Sequence, residues 1–379
     1  MAHAYTPGLK VTRQTTLVKS RILPLQGEVE VKVGDMVTSD RIVAQTNLPG
    51  AITTINVMGR LGCEASEVPQ LMLKREGESF EEGEIIAESK PLLPFLKFMA
   101  GKIPAPITGT VEKISSVTGQ VMLREPPEPV IIKAYIDGEV TKVVGNEGVE
   151  IKTTATFIQG IFGVGGETSG EIVIAVDSPD TELRPEHLKP EFKKKIVVGG
   201  SYAGIETVRK GIEVGIAGII VGGFSDRDLR ELLGYDLGVA ITGHEKIGLT
   251  LVITEGFGRI GMAHRTFALL KEREGFRASM SGATQIRAGV IRPEVIICLN
   301  TDQLERTDEV RGDLADGVKA GNPIRIIREP NFGKIGKVKR LISELMVMES
   351  ETKVRVMEVT LQDGKDYVVP RANVEIIED

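Results

Sequence analysis

Three sets of residues in this chain have types and spacings that bear on chemistry. Gly256-Phe-Gly258-Arg-Ile-Gly261 has the spacing G-x-G-x-x-G and follows an apolar run at 249–254. Between a strand and a helix, such a segment brings backbone close to a pyrophosphate while the helix N-terminus offers free N–H groups to the anion. Gly256, Gly258 and Gly261 are therefore candidate ligands for a nucleotide or phosphometabolite. Against this, the next strand-like run, 277–281, ends in no acidic residue to hold a ribose hydroxyl. The second set is three glycine turns, Gly199-Gly-Ser201, Gly222-Gly-Phe224 and Thr242-Gly-His244-Glu245. His244 and Glu245 have the chemistry of an acid–base pair, with Ser201 or Thr254-Glu255 as neighbours, but tight αβ turns require glycine in any case. The third set is basic: Arg328, Lys334, Lys337, Lys339 and Arg340. These suit phosphates or an acidic protein surface, and with Phe332 the one aromatic among them, base stacking would be minimal.

The chain contains no G-x-S-x-G, P-loop, H-E-x-x-H or C-x-x-C element, so nucleophilic and metal catalysis lack support and no catalytic residue or metal ligand is assigned. Cys63 and Cys298 are far apart, which excludes a disulfide scaffold; a single bridge between them stays open. His3, His187, His244 and His264 are scattered and do not suggest a multi-histidine metal centre.

The elements that must position these residues fall into three stretches. Residues 20–145 read as short strands punctuated by Gly and Pro turns, as in Glu28-Val-Glu-Val-Lys-Val-Gly34-Asp35, which favours a small barrel or sandwich. The apolar insert Pro91-Leu-Leu-Pro-Phe-Leu-Lys-Phe-Met99 interrupts this pattern and reads as a covering loop or partner contact. From 171 to 300 the pattern becomes strand, helix, strand. Apolar runs at 171–176, 195–198, 217–221, 249–254 and 295–299 alternate with helical faces marked by Ile205, Val208 and Ile212, and by Ala263, Phe267 and Leu270. Ser225 precedes a short helix at 226–233. This predicts an α/β domain with a mostly parallel sheet. Four glycines in Gly160-Ile-Phe-Gly163-Val-Gly165-Gly166 predict a hinge or a close backbone crossing between domains. The acidic stretch 300–317 reads as a linker, and 318–379 returns to β.

With 379 residues, two or three domains are expected. There is no Trp and only 11 Phe and 5 Tyr, so the cores must be Val, Ile, Leu and Ala. The formal net charge of −6 argues against wholesale wrapping of nucleic acid. Residues 318–343 carry seven Lys or Arg against Glu329, about +6, which leaves about −12 elsewhere. No apolar run reaches the ~20 residues of a membrane span and the N-terminus has no signal-peptide core, so a cytoplasmic protein is expected.

The segments "GEVEVKVGDMVTSDRIVA", "REGESFEEGEIIAES" and "APITGTVEKISSVTGQVML" resemble the barrel-sandwich hybrid fold of biotinyl and lipoyl carrier domains, found also in the C subunit of Rnf-type electron-transport complexes and as an insert in RNA polymerase. In the carriers a modified lysine sits on a hairpin tip, and Lys90 falls near that position. Its surroundings depart from the pattern, because neither Met-Lys-Met nor Asp-Lys-Ala is present. Further on, "GNPIRIIREPNFGKIGKVKRL" resembles the KOW element of SH3-like barrels in NusG-type transcription factors and ribosomal proteins, modules that bind RNA or protein. The resemblance places Lys334, Lys337, Lys339 and Arg340 in its basic turn and strand.

The expected architecture is multidomain: a barrel-sandwich hybrid (1–150), an α/β domain (151–300), a linker (301–317) and a KOW-type SH3-like barrel (318–379). Two docking-type modules around a domain without a catalytic set predict a cytoplasmic, self-assembling binding or scaffold protein without a cofactor. One alternative is a nucleotide- or phosphometabolite-binding protein or enzyme acting at the central glycine loops. The other is an RNA- or ribosome-associated factor acting through the basic strip.

Overall fold

The computed structural model describes residues 9–89, 101–234, 243, 245–285, 291–300, 318–327, 331, 334–347 and 353–376. It is mostly β, with 47% of residues in strands and 15% in helices. Its spine is a long strand. β1 (Val11–Ile22), β2 (Gly138–Val144) and β3 (Gly148–Gln159) come together with β1 antiparallel along one edge of β3 and β2 along the other. The boundary expected at residue 150 falls inside β3, whose Val149 and Ile151 enter one core while Ile158 enters the next.

Past β4 (Phe162–Val164), the alternation read from the sequence is present: β5 (Glu167–Ile174), β6 (Ile196–Val198), α1 (Ile205–Val214), β7 (Gly218–Phe224), α2 (Asp226–Leu233), β8 (Thr250–Phe257), α3 (His264–Glu272), β9 (Arg277–Ser281) and β10 (Glu294–Cys298). β5 to β8 pair in parallel. β4, β9 and β10 pair antiparallel, β10 joins β3, and the short strand Met36–Val37 pairs with β2, so a single eleven-stranded sheet results. The expectation of a mostly parallel sheet is therefore corrected to a mixed one. After α3 the chain returns beside β5 running the opposite way, and sequence periodicity carries no information on which neighbour a strand will choose.

Local chemistry explains the regular elements. Every residue of β7 is buried, as its unbroken Gly-Ile-Ile-Val-Gly-Gly-Phe run implies for a strand covered on both faces. Ser225 caps α2, its Oγ accepting the Asp228 N–H at 3.3 Å. Gly223 is required by close approach: a Cβ there would lie 2.0 Å from the carbonyl oxygen of Gly258.

The N-terminal residues form three smaller sheets. Ile42–Leu48 pairs with Glu28–Val29 and Glu128–Lys133; Gln120–Arg124 pairs with Ile52–Asn56 and Gly109–Ile114; Ile85–Glu88 pairs with Lys102–Pro104. Ile55, Val57, Phe80, Ile86, Val111 and Leu123 make a separate core there, aliphatic but for Phe80. The C-terminal sheet is antiparallel: β11 (Pro323–Ile326), β12 (Ile335–Val347), β13 (Lys353–Leu361), β14 (Asp366–Pro370) and β15 (Val374–Ile376), in the order β14–β13–β12–β11–β15. A 3-10 turn, Arg371–Asn373, leads into β15, and Ile324, Ile326, Val338, Met357 and Val359 fill the core. The insert 91–99 and the linker 301–317 lie outside the described residues.

Candidate functional site

The carboxyl ends of β5 to β8 open on one edge, where ligands of parallel sheets ordinarily bind. Here the loops on that edge are bonded to one another. Ser201 Oγ donates to the Asp180 carbonyl at 2.9 Å, Ile260 N–H to Ser201 O at 3.3 Å, and Met262 N–H to Pro179 O at 3.1 Å. Tyr202 is buried beside Phe224, and the Arg259 guanidinium lies over its ring, 4.5 Å from the centroid. The Tyr202 hydroxyl donates to Asp228 Oδ2 at 3.1 Å, the same oxygen that accepts the Ile205 N–H at 3.2 Å. Burial, followed by the Asp228 carboxylate, pushes the Tyr202 phenol above its usual range, so it stays protonated and acts as a donor, not as a base. Arg259 is itself held by Glu182 at 2.7 Å.

The glycine motif sits differently from expectation. Gly256 and Phe257 belong to β8, in register with Gly223 and Phe224 of β7, so the first glycine lies inside the strand instead of in the turn after it. Gly258 turns the chain at φ +115°, its N–H donating to the Phe224 carbonyl at 2.9 Å. A Cβ on Gly261 would meet Asp180 Oδ1 at 2.4 Å. At the start of α3, the Ala263 N–H donates to Glu255 Oε1 at 3.0 Å. Two carboxylates of the chain thus border the place where a pyrophosphate would sit, and one of them takes up an amide that would otherwise serve the anion.

The remaining candidates are distributed over the molecule. Glu245 Oε2 accepts the N–H groups of Gly165 at 3.1 Å and Gly243 at 2.7 Å, which ties the glycine-rich 160–166 segment to its neighbour; Thr242 and His244 lie outside the described residues. A Cβ on Gly163 would stand 2.9 Å from Gly282 backbone, a close crossing, but within the 151–300 stretch and not between domains. Cys63 and Cys298 are both free, and burial raises the Cys298 thiol. Lys90 and Arg328 lie outside the described residues. Among the described residues no cluster of His, Cys, Asp and Glu is arranged to hold a metal, and no helix is long and apolar enough to cross a membrane.

Two residues of the basic strip are ion-paired in place. Lys339 Nζ bonds Glu358 at 3.1 Å and also Asp366, and Arg340 bonds Glu358. Arg340 first and Lys339 second hold the Glu358 carboxyl below its usual range, and Lys339 does the same to Asp366. Lys334 bonds Asn331 Oδ1 at 2.9 Å and lies 5.9 Å from the centre of the Tyr367 ring. Lys337 is exposed on β12.

Sequence reasoning missed the arrangement around Arg325. Its guanidinium, buried on β11, donates to the carbonyl of Glu255 and, at 2.7 Å, to Glu255 Oε2, joining the C-terminal sheet to the end of β8. The one legible signal is an arginine set among isoleucines in Pro323-Ile-Arg-Ile-Ile327, an apolar strand whose charge needs a partner from elsewhere. No protein-family model matches the chain, and no curated protein matches it in sequence.

Proposed function

We propose that this is a non-catalytic binding protein that assembles with copies of itself through the free edge of β12. One observation carries the reading. β12 has 13 residues, yet only Ile335, Gly336 and Lys337 pair with β11. Two backbone bonds at Val338 end the contact on that side. From Lys339 onward, among the described residues, that edge has no strand against it, while Leu345 (58% exposed) and Met346 carry apolar side chains into solvent. An open edge with apolar residues is a template for strand addition, and pairing with its own copy about a twofold axis closes both edges at once.

The reading rests on modules that docking proteins use: a barrel-sandwich hybrid at 1–150, an α/β domain at 151–300 and a KOW-type SH3-like barrel at 318–379, in a protein of the cytoplasm. Support for the last module is its five antiparallel strands with a 3-10 turn before the final one. Support for docking over RNA binding is that Lys339 and Arg340 already serve Glu358 and Asp366. Support for docking over nucleotide binding is the pair of carboxylates, Asp180 and Glu255, at the glycine motif.

Sedimentation equilibrium of the full chain tests the proposal. We expect a dimer that L345K converts to monomer with unchanged far-UV circular dichroism. A wild-type protein that remains monomeric at high micromolar concentration removes the reading.

A further inference from the structure

Five segments distant in the chain meet at one buried cluster of charge. Arg325 of β11 reaches Glu255 of β8 at 2.7 Å and Glu375 of β15 at 3.3 Å. Arg292, just before β10, brings its Nη1 to 2.9 Å from the other oxygen of Glu375. The Leu9 N–H, at the threshold of β1, donates to Glu375 Oε1 at 2.6 Å. Glu255 in turn accepts the Ala263 N–H at the head of α3. Two carboxylates and two guanidinium groups balance in charge. Arg325, Glu375 and Glu255 are exposed by 2%, 1% and 5%.

Groups so deeply withdrawn from water are tolerable only while each faces its partner. Separating the C-terminal sheet from the central one would leave Glu255 without its cation, and re-docking in a different register would bury Arg325 against apolar surface. Apolar contact adds to this: Ile327, the residue after β11, belongs to the core of the central sheet.

We infer that the Glu255–Arg325–Glu375–Arg292 network is a latch that fixes the C-terminal sheet against the central sheet in one arrangement, and that breaking it releases the C-terminal sheet as a folded body. The inference goes beyond self-assembly at β12 and does not depend on it. The C-terminal sheet has its own core, so release need not unfold it. The latch also makes Glu255 a positioning residue shared by two structures, since one oxygen holds α3 and the other holds the C-terminal sheet.

The test is E255Q in the full chain. Glutamine keeps the volume and leaves a carbonyl oxygen for Ala263, but sets an amide NH2 against Arg325. Hydrogen exchange by mass spectrometry should show the Leu9 region exchanging roughly 100-fold faster, because one partner of a buried pair has been removed. β6 and β7 should keep wild-type protection, and small-angle X-ray scattering should report a larger radius of gyration at unchanged far-UV circular dichroism. R292Q, which leaves the Glu255–Arg325 pair intact, should act in the same direction by a smaller factor. Wild-type exchange and radius in both variants would overturn the latch. So would loss of protection in β6 and β7 together with the C-terminal strands, since the network would then be part of one indivisible fold.

Discussion

Two clusters of arginine, lysine and carboxylate lie on the C-terminal sheet, and they differ in one respect. Around Arg325 the charges are sealed from water at the junction with the central sheet. Around Lys339 the same kinds of groups border solvent, with Asp366 on β14 exposed and Glu358 on β13 half-buried. Exposed pairs exchange one good environment for another and contribute little. Buried pairs contribute little as a whole but are costly to halve, because the survivor has no water to turn to. The first cluster therefore specifies an arrangement, and the second removes charge that a partner would otherwise read.

The largest effect should come from halving the buried cluster. Arg325→Met takes from Glu255 and Glu375 the cation they share and should cost about 3–5 kcal/mol in urea denaturation; a loss no greater than that of a surface variant would erase the contrast. Tyr202→Phe, on the carboxyl edge of the central sheet, lies between the extremes. It removes a single donor from Asp228 and should cost about 1 kcal/mol in the same measurement.

The exposed cluster should show itself through pH. The folded-state pKa values of Glu358 and Asp366 are lowered, so their contribution is present above the ordinary carboxylate range near about 4 and is lost as pH falls through it. Wild-type stability should accordingly decline more steeply from about pH 5 to about pH 3 than that of Lys339→Met. The difference should shrink at about 0.5 M salt, as screening requires. Thermal melts across this range check both points, and parallel curves would place the two clusters on the same footing. The smallest effect concerns RNA. With Lys339 and Arg340 engaged by carboxylates, Lys337 alone makes no phosphate site, so Lys337→Glu should leave filter retention of single-stranded RNA unchanged at about 0.15 M salt, whereas a lost phosphate contact would alter the slope of affinity against salt by about one.

Much of the fold was legible, and the reasons are local. Ser225 followed by Asp226 and Asp228 announces an N-terminus, and α2 begins there. The spacing of Ile205, Val208 and Ile212 marks α1. The glycine motif was misplaced by part of a strand because β8 continues through Phe257, held by pairing with β7 that no local pattern encodes. The strand that the resemblance gave to Lys337, Lys339 and Arg340 extends over 335–347, since β-forming residues continue to Val347 and β13 accompanies them. Of the candidate site, the identities of Gly258, Gly261, Lys339 and Arg340 were visible, but their partners were not. Asp180 lies 81 positions from Gly261, Glu358 lies 19 and 18 positions from Lys339 and Arg340, and Asp366 lies 27 from Lys339, each outside the element it meets.

What the sequence alone determined is therefore what depends on neighbours in the chain: the helices and their caps, the aliphatic cores, the glycine crossing at 163, and the absence of familiar catalytic motifs. The tertiary structure decided where charge ends up. Of a strip that sums to about +6 in the chain, Lys339 and Arg340 become members of ion pairs in space, and an arginine hidden in an apolar strand becomes the joint between two sheets. Electrostatic energy depends on distance and on access to water, and both are set by folding.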